Sequence, residues 1–361
     1  MDNNMLHKML TSANTPKNTA SWLRRVYFPE IVSRFNAEES RKRFALYQNE
    51  RIPTNERNLT DVRTRMGVLI EFEIARISND ILKENGIDDI FWSYVVANRF
   101  PDLEVRKNSG ERQLRLEIKC PQCVAEEKSA NFDTLKKDIN PFTEYVIVCL
   151  WDWSKSGSDV YGWDSVPIIY KIYVLHAYSL AALRDCYWLN DPPANLGNGF
   201  QGFDVRNAVT CKKGAYSKEQ GNYGKIMRIW KEASKYRPNE TEELLDTEKE
   251  YLLMKKESEF HGFRLLANEH LLYLSDSCEK NIEEIVKDGI IIGYENNGYM
   301  YVLKSRAQKC WKEIAVQNKV CTVIMMNDKY RCGVYRFENG EFKQIAKDKK
   351  PKSVIEIIRR S

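Results

Sequence analysis

Residues 101–119 constrain this chain more than any other stretch. They read Pro-Asp-Leu-Glu-Val-Arg, then Lys-Asn-Ser-Gly-Glu-Arg, then Gln-Leu-Arg-Leu-Glu-Ile-Lys. Leu103 and Val105 alternate with Asp102, Glu104 and Arg106, and Leu114, Leu116 and Ile118 alternate with Arg115, Glu117 and Lys119. A two-residue period predicts strands with one face buried and the other open to water. Asn108, Ser109, Gly110 and Glu111 supply the turn, with Gly110 free to take positive φ. The stretch is predicted to be a β-hairpin.

Its register follows if the loop is centred between Ser109 and Gly110, so that opposed residue numbers sum to 219. Leu103 then faces Leu116, Val105 faces Leu114 and Glu104 faces Arg115: two apolar pairs and a charge pair. The same register sets Asp102 opposite Glu117, and directly opposed Cβ atoms lie about 4.5–5.5 Å apart. Lys119, two residues on, leaves the same face. The hairpin is thus expected to carry two acids and a lysine on one solvent-facing ledge. Two carboxylates so close repel unless a divalent cation neutralises them, and hard oxygen donors favour Mg²⁺. Such an ion polarises a phosphoryl oxygen and lowers the pKa of a bound water. A nearby lysine can orient that water or stabilise charge on the phosphate. The alternative is a surface hairpin decorated with charge, since Glu-x-Lys alone is common on exposed strands. Pro-Asp at the matching cross-strand position, and the acid-bearing helix upstream, favour the functional reading.

These residues resemble a known superfamily. Pro101-Asp102, fourteen intervening residues and Glu117-Ile118-Lys119 are similar to the signature of the PD-(D/E)XK nucleases, the superfamily of type II restriction endonucleases and their relatives. The resemblance covers about residues 64–176 and neither end of the chain. It implies that Asp102, Glu117 and the backbone carbonyl of Ile118 bind the metal and that Lys119 is the catalytic lysine. It also implies an αβββαβ core, with a mixed central sheet flanked by helices.

The helix of that core is read at 64–84, where Met66, Ile70, Ile74, Ile77 and Ile81 share one face and Asn85-Gly86 ends it. Glu71 and Glu73 lie among these apolar residues, where an acid is costly unless it is paired or metal-bound. The superfamily commonly places a glutamate four residues after a glycine on this helix. Gly67-Val68-Leu69-Ile70-Glu71 matches, so Glu71 is the choice and Glu73, nearer the apolar face, is the alternative. A β-rich run follows at 91–97. A helix is read over 126–139 from Phe132, Leu135 and Ile139, then a covered strand at 145–151, a strand at 168–176 and a short helix at 179–186.

Outside the core, residues 1–63 read as a mostly helical, polar extension, with a charged helix at Glu38–Arg43 and a loop at Pro53 and Asn55. Residues 187–222 are loop-rich. There Tyr216, Lys218, Gln220, Asn222, Tyr223 and Lys225 mix aromatic, basic and amide groups, which suits phosphate and base contacts or is ordinary loop composition. A helix with Ile226, Ile229, Trp230 and Ala233 ends before Pro238, and a long charged helix spans Glu240 to about Phe260. From 280 the pattern is helix, strand, Asn296-Asn297-Gly298 turn, strand 299–303 and a helix around Trp311. Strands follow at 320–326, 330–337 and 341–345. The division expected is 1–63, a core of 64–240, and a helical linker with a basic α+β region, 241–361.

Charge supports an anionic partner without proving one. The chain is +5 overall, yet residues 280–361 hold 17 Lys and Arg against 10 Asp and Glu, which leaves the remainder near −2. A basic third beside a carboxylate-lined site fits a phosphate-rich ligand, although a soluble basic surface would look the same. Nine cysteines without framework spacing point to reduced thiols. Cys120 of Cys120-Pro-Gln-Cys123 continues the apolar alternation and is read as core rather than zinc ligand. No apolar run approaches the ~20 residues of a membrane span, and the N-terminus lacks a secretory apolar stretch, so a cytoplasmic protein is expected. His176, His261 and His270 lack any triad-like context.

The expectation is a Mg²⁺-dependent type II restriction enzyme acting on double-stranded DNA. Asp102 and Glu117 would hold the metal, with Glu71 as an outer or second-metal acid and Lys119 placing or deprotonating the water. A homodimer cutting both strands by two-fold symmetry is inferred from the class. Two rivals stand: a recombination or repair nuclease of the same superfamily that reads DNA structure, and a non-enzymatic DNA-binding protein with the same fold.

Overall fold

The computed structural model describes residues 2–11, 16–37, 60–95, 100–124, 130–153, 166–190, 224–229, 238–274, 282–327 and 330–360. The chain is mixed α/β, with two sheets that each contain parallel and antiparallel pairs. It divides into two compact units, 1–152 with 166–255, and 153–165 with 256–361. The expected charged helix at Glu38–Arg43, the loop at Pro53 and Asn55, the loop mixture from Tyr216 to Tyr223, and Trp230 with Ala233 lie outside the described residues. No described helix is long and apolar enough to cross a membrane.

Among the described residues of the first unit, α1 (Asn3–Thr11), α2 (Pro16–Trp22) and α3 (Phe28–Phe35) come before the long α4 (Thr60–Glu84). A π-helical turn, Leu23–Tyr27, joins α2 to α3. Far from being only polar, this extension buries Leu6, Leu10, Trp22, Tyr27, Phe28, Ile31 and Phe35. The sheet has strands β1 (Ile90–Tyr94), β2 (Leu103–Lys107), β3 (Arg112–Lys119), β4 (Glu144–Trp153) and β5 (Pro167–His176) in sequence order. β1, β2 and β3 form an antiparallel meander, and β4 runs parallel to β3. All of β4 is buried, which explains its near-continuous apolar run. Helix α5 (Ala177–Asn190) follows β5.

Both edges of this sheet are closed by an asparagine side chain that imitates a neighbouring strand. On β1, Asn79 of α4 donates to the carbonyl of Trp92 (3.0 Å) and accepts from its amide (2.9 Å). On β5, Asn36 does the same to Ile169, at 2.8 and 2.9 Å. Arg24 adds two donations to the Val174 carbonyl and pairs with Asp246 of helix α6 (Glu242–Leu274). An edge strand left open would template pairing with other chains; here part of its backbone is spoken for.

Three sequence expectations need correction in these elements. Residues 130–139 are not helical beyond one 3₁₀ turn at Lys136–Asp138. Phe132 and Ile139 are buried as their spacing suggests, but the backbone is committed elsewhere. Phe132 N–H donates to Gly224 O, Ile226 N–H to Ala130 O, and Arg184 donates to Phe132 O. Gly224 takes a φ of +77°, and a Cβ there would lie 2.9 Å from Phe132 O, so glycine is required for this bridge. Likewise Ile226–Arg228 is a 3₁₀ turn rather than the start of a helix. Cys120 is half-buried rather than core.

In the second unit, β6 (Glu283–Lys287), β7 (Ile290–Asn296), β8 (Tyr299–Leu303), β9 (Thr322–Met326), β10 (Cys332–Glu338) and β11 (Glu341–Lys349) form one sheet. A strand, β6, stands where a helix was expected after residue 280. Its only buried side chain is Ile285, and Asp288-Gly289 turns it directly into β7. Asp288-Gly289, Asn297-Gly298 and Asn339-Gly340 each have both residues at positive φ, the geometry that two-residue hairpins need. Short helices α7 (Lys304–Ala307) and α8 (Trp311–Gln317) lead to β9, which is parallel to β8. Trp311 packs with Met300, Val302, Val323 and Met325 on one face. Phe263 of α6 meets Tyr294 and Tyr301 on the other, and α9 (Pro351–Arg360) ends the chain.

Candidate active site

The β2–β3 hairpin positions the site, and its register is right there for a reason the sequence did not show. Leu103 pairs with Leu116 and Glu104 with Arg115, as expected, but Arg106 pairs with Arg112. The loop is three residues, Asn108 to Gly110, closed by Gly110 N–H to Lys107 O and Lys107 N–H to Glu111 O, with Gly110 at φ +86°. That loop offsets the register by one from the expected sum. A bulge on β3 at Gln113 and Leu114 restores it, so Val105 and Leu114 are not a simple opposed pair. Continuing the restored register by one residue sets Asp102 opposite Glu117.

The expected water-facing ledge is a half-buried recess instead. Glu117 is 9 % exposed, and Glu104, expected on the wet face, is fully buried. β3 is an interior strand between β2 and β4, and α4 approaches this face, with Gly67 against Cys120 and Glu71 beside Asp102 and Lys119. The Lys119 ammonium lies 2.7 Å from Glu117 Oε1, with its side chain 16 % exposed. Asp102 Oδ2 accepts the backbone N–H of Ile118 at 2.7 Å. Ile118 therefore orients the aspartate through its amide, a contact that no sequence pattern announces.

Helix α4 brings the third acid. Gly67 lies against Cys120 just past β3, with room for a Cβ only 3.6 Å from that of Cys120. Glu71 is one turn further along and accepts the Tyr94 hydroxyl at 3.2 Å. Glu73, the alternative, is buried and ion-paired with Arg76, which also holds Asp80, whereas it is Glu71 that electrostatics tie to Asp102, Glu117 and Lys119. Tyr94 is the partner sequence reasoning missed; its only signal was a place two residues after Trp92 in a β-rich run.

Electrostatics bind these groups into one unit. Burial, reinforced by the Asp102 charge, pushes Glu71 up to about 7, against the pull of Lys119 and the Tyr94 hydroxyl. Burial likewise pushes Glu117 up to about 7; Lys119 opposes this, while Asp102 and Asp133 add to it. Asp102 is raised by burial despite Lys119 and the Ile118 amide. Burial alone would favour the neutral amine, yet Glu117, Asp102 and Glu71 hold Lys119 above the ordinary lysine value. Asp133 sits in the stretch expected to be helical, which is why it was overlooked.

These residues suit a divalent cation in one specific respect. Glu117 Oε2 is buried and accepts no hydrogen bond, a costly state for a carboxylate oxygen that a cation would relieve. Three carboxylates against one ammonium also leave negative charge uncompensated. Among the described residues, no group of three or more His, Cys, Asp or Glu side chains is gathered as a ready-made cage. A cation placed there could draw on Asp102, Glu117 and a backbone carbonyl, with Glu71 at one remove.

No protein-family model, curated protein or solved structure matches this chain.

Proposed function

We propose that the chain is a Mg²⁺-dependent DNA endonuclease with a restriction-endonuclease-like core, most simply a type II enzyme hydrolysing phosphodiesters of double-stranded DNA. The observation that carries this reading is the meeting of Asp102, Glu117 and Lys119 in one recess, where Lys119 touches Glu117 and leaves its second oxygen bare. The order α4, antiparallel β1–β2–β3, then β4 parallel to β3 supports it at the level of the fold. The basic balance of residues 280–361 agrees with a polyanionic partner.

In this reading Asp102, Glu117 and the Ile118 carbonyl would hold Mg²⁺, which would supply Lewis-acid polarisation of the phosphoryl group. Lys119 keeps its proton, so its ammonium acts by hydrogen bonding and charge, steadying the attacking water and the phosphate oxygens as negative charge builds. Glu71, held in place by the Tyr94 hydroxyl beside the other acids, is the outer carboxylate that would serve as a second-metal acid or take the water proton.

Digestion of a plasmid of known sequence with Mg²⁺, followed by mapping of the ends, tests the proposal. Discrete fragments with constant end sequences are the expected result. Cutting confined to branched or damaged DNA would move the reading to a repair or recombination nuclease. Binding without cutting would refute the enzyme. Sedimentation with and without DNA tests the homodimer that symmetric cutting of a palindrome would require.

A further inference from the structure

We propose that the exposed stripe of α4, formed by Arg65, Val68, Leu69 and Phe72, works with Tyr94 as a platform that stacks an unpaired nucleobase beside the phosphate under attack. This rests on the nucleic-acid reading above and deepens it: at the cleavage position of a duplex, the strand under attack presents a base extruded from its partner.

The inference starts from an apolar face the core does not use. Helix α4 buries Met66, Ile70, Ile74, Ile77 and Ile81 on one side, yet Val68, Leu69 and Phe72 are exposed on the other, Phe72 at 51 %. A contiguous exposed apolar patch on a well-formed helix marks a contact surface. Its far end is joined to the candidate site. The Phe72 ring stacks on the Tyr94 ring at 4.4 Å and 12°, and the Tyr94 hydroxyl donates to Glu71 Oε2. One aromatic unit thus runs from a site carboxylate out to an open ring.

The chemistry of that ring selects the occupant. Aromatic faces stack on any nucleobase and so hold single-stranded DNA without reading sequence. Arg65, also exposed, lies seven residues before Phe72. That is two turns, or about 10 Å, along the same stripe, where a guanidinium can meet a flanking phosphate. A base inside an intact duplex is stacked between its neighbours and cannot reach the ring; an unpaired or extruded one can.

The test uses the full-length chain carrying Lys119→Ala, with Mg²⁺ at one salt concentration, and follows binding of a labelled mixed-sequence single strand and of its duplex by anisotropy. The single strand should bind measurably, because its bases are free to reach the ring. Adding Phe72→Ala should weaken single-strand binding about tenfold or more, with a much smaller effect on the duplex. Phe72→Trp should restore the single-strand affinity. Equal losses on both DNAs, or no loss in a Phe72→Ala protein with unchanged melting temperature, would overturn the platform alone. A Phe72→Ala protein that turns from dimer to monomer with its DNA affinity intact would give the stripe to a second copy and also overturn it. Failure of the parent to bind either DNA would refute the nucleic-acid reading itself, and this proposal with it.

Discussion

At the scale of single residues, Lys119 and the two titrating glutamates carry the sharpest expectations. Lys119→Ala removes the one ammonium that faces Asp102, Glu117 and Glu71. It should lower the single-turnover cleavage rate by about 10²–10³-fold, the loss typical of one preorganised charge-stabilising donor, while a filter-binding assay still detects DNA. The glutamates make a thermodynamic statement. Their pKa values rise from 4.5 to about 7 on folding, so between those values the folded chain binds more protons than the unfolded one. Stability from these groups is therefore greatest below pH 4.5 and is lost as pH rises to 7, on the order of 2 kcal/mol each. In EDTA, Glu71→Gln and Glu117→Gln should raise the melting temperature at pH 8 and not at pH 5. Because bound cations require ionised carboxylates, the stabilisation by added Mg²⁺ should grow over the same interval and vanish in Glu117→Gln.

At the scale of elements, two devices hold the recess in shape. The first is the pair of asparagines on the sheet edges. Asn79 grips Trp92 two residues from Tyr94, and it lies two turns beyond Glu71 on the same helix. It thereby sets how α4 is aligned with β1. Asn79→Ala removes two hydrogen bonds and opens the edge, and should cost about 1–3 kcal/mol in denaturant unfolding with a fall in cleavage rate beyond that expected from stability. The second device is the charge cluster behind the hairpin. Fully buried Glu104 meets Arg106, Arg112 and Arg115, and fully buried Glu144 meets Arg115 and the Asn140 amide. Glu144→Ala leaves Arg115 short of its closest partner inside the sheet and should cost roughly 3–5 kcal/mol, read as a shift in the urea midpoint. Pairs this buried explain how a strand with four charged side chains can lie in the interior.

At the scale of the molecule, the two units have separate cores. The boundary at 255/256 passes through α6, whose first half carries Asp246, paired to Arg24, and whose second half carries Phe263, packed on Tyr294 and Tyr301. A fragment of residues 241–361 keeps that whole helix and the six-stranded sheet. It should unfold cooperatively by circular dichroism, since its apolar cluster around Trp311 is drawn from its own residues. If the second unit carries nonspecific DNA affinity, the same fragment should bind DNA with a steep dependence on salt. A noncooperative melt would show that the sheet depends on the rest of the chain.

Much of the site was legible in the sequence because it obeys local rules. Alternation along β2 and β3 put Asp102, Glu117 and Lys119 on one face, whereas the choice of Glu71 over Glu73 came from the superfamily resemblance and not from helical spacing. The hairpins of the second unit announced themselves through Asp-Gly and Asn-Gly pairs. What local rules cannot contain is who else competes for a backbone. The 130–139 stretch has helical spacing but bonds to Gly224–Ile226 far along the chain, and β6 has no strong strand pattern of its own until β7 pairs with it. Burial was also a tertiary decision: alternation says which side chains share a face, but only the neighbouring β4 and α4 turn that face from a wet ledge into a recess. That desolvation raises the carboxylate pKa values and leaves one Glu117 oxygen without a partner, while the acids gathered beside Lys119 hold its proton against the same burial.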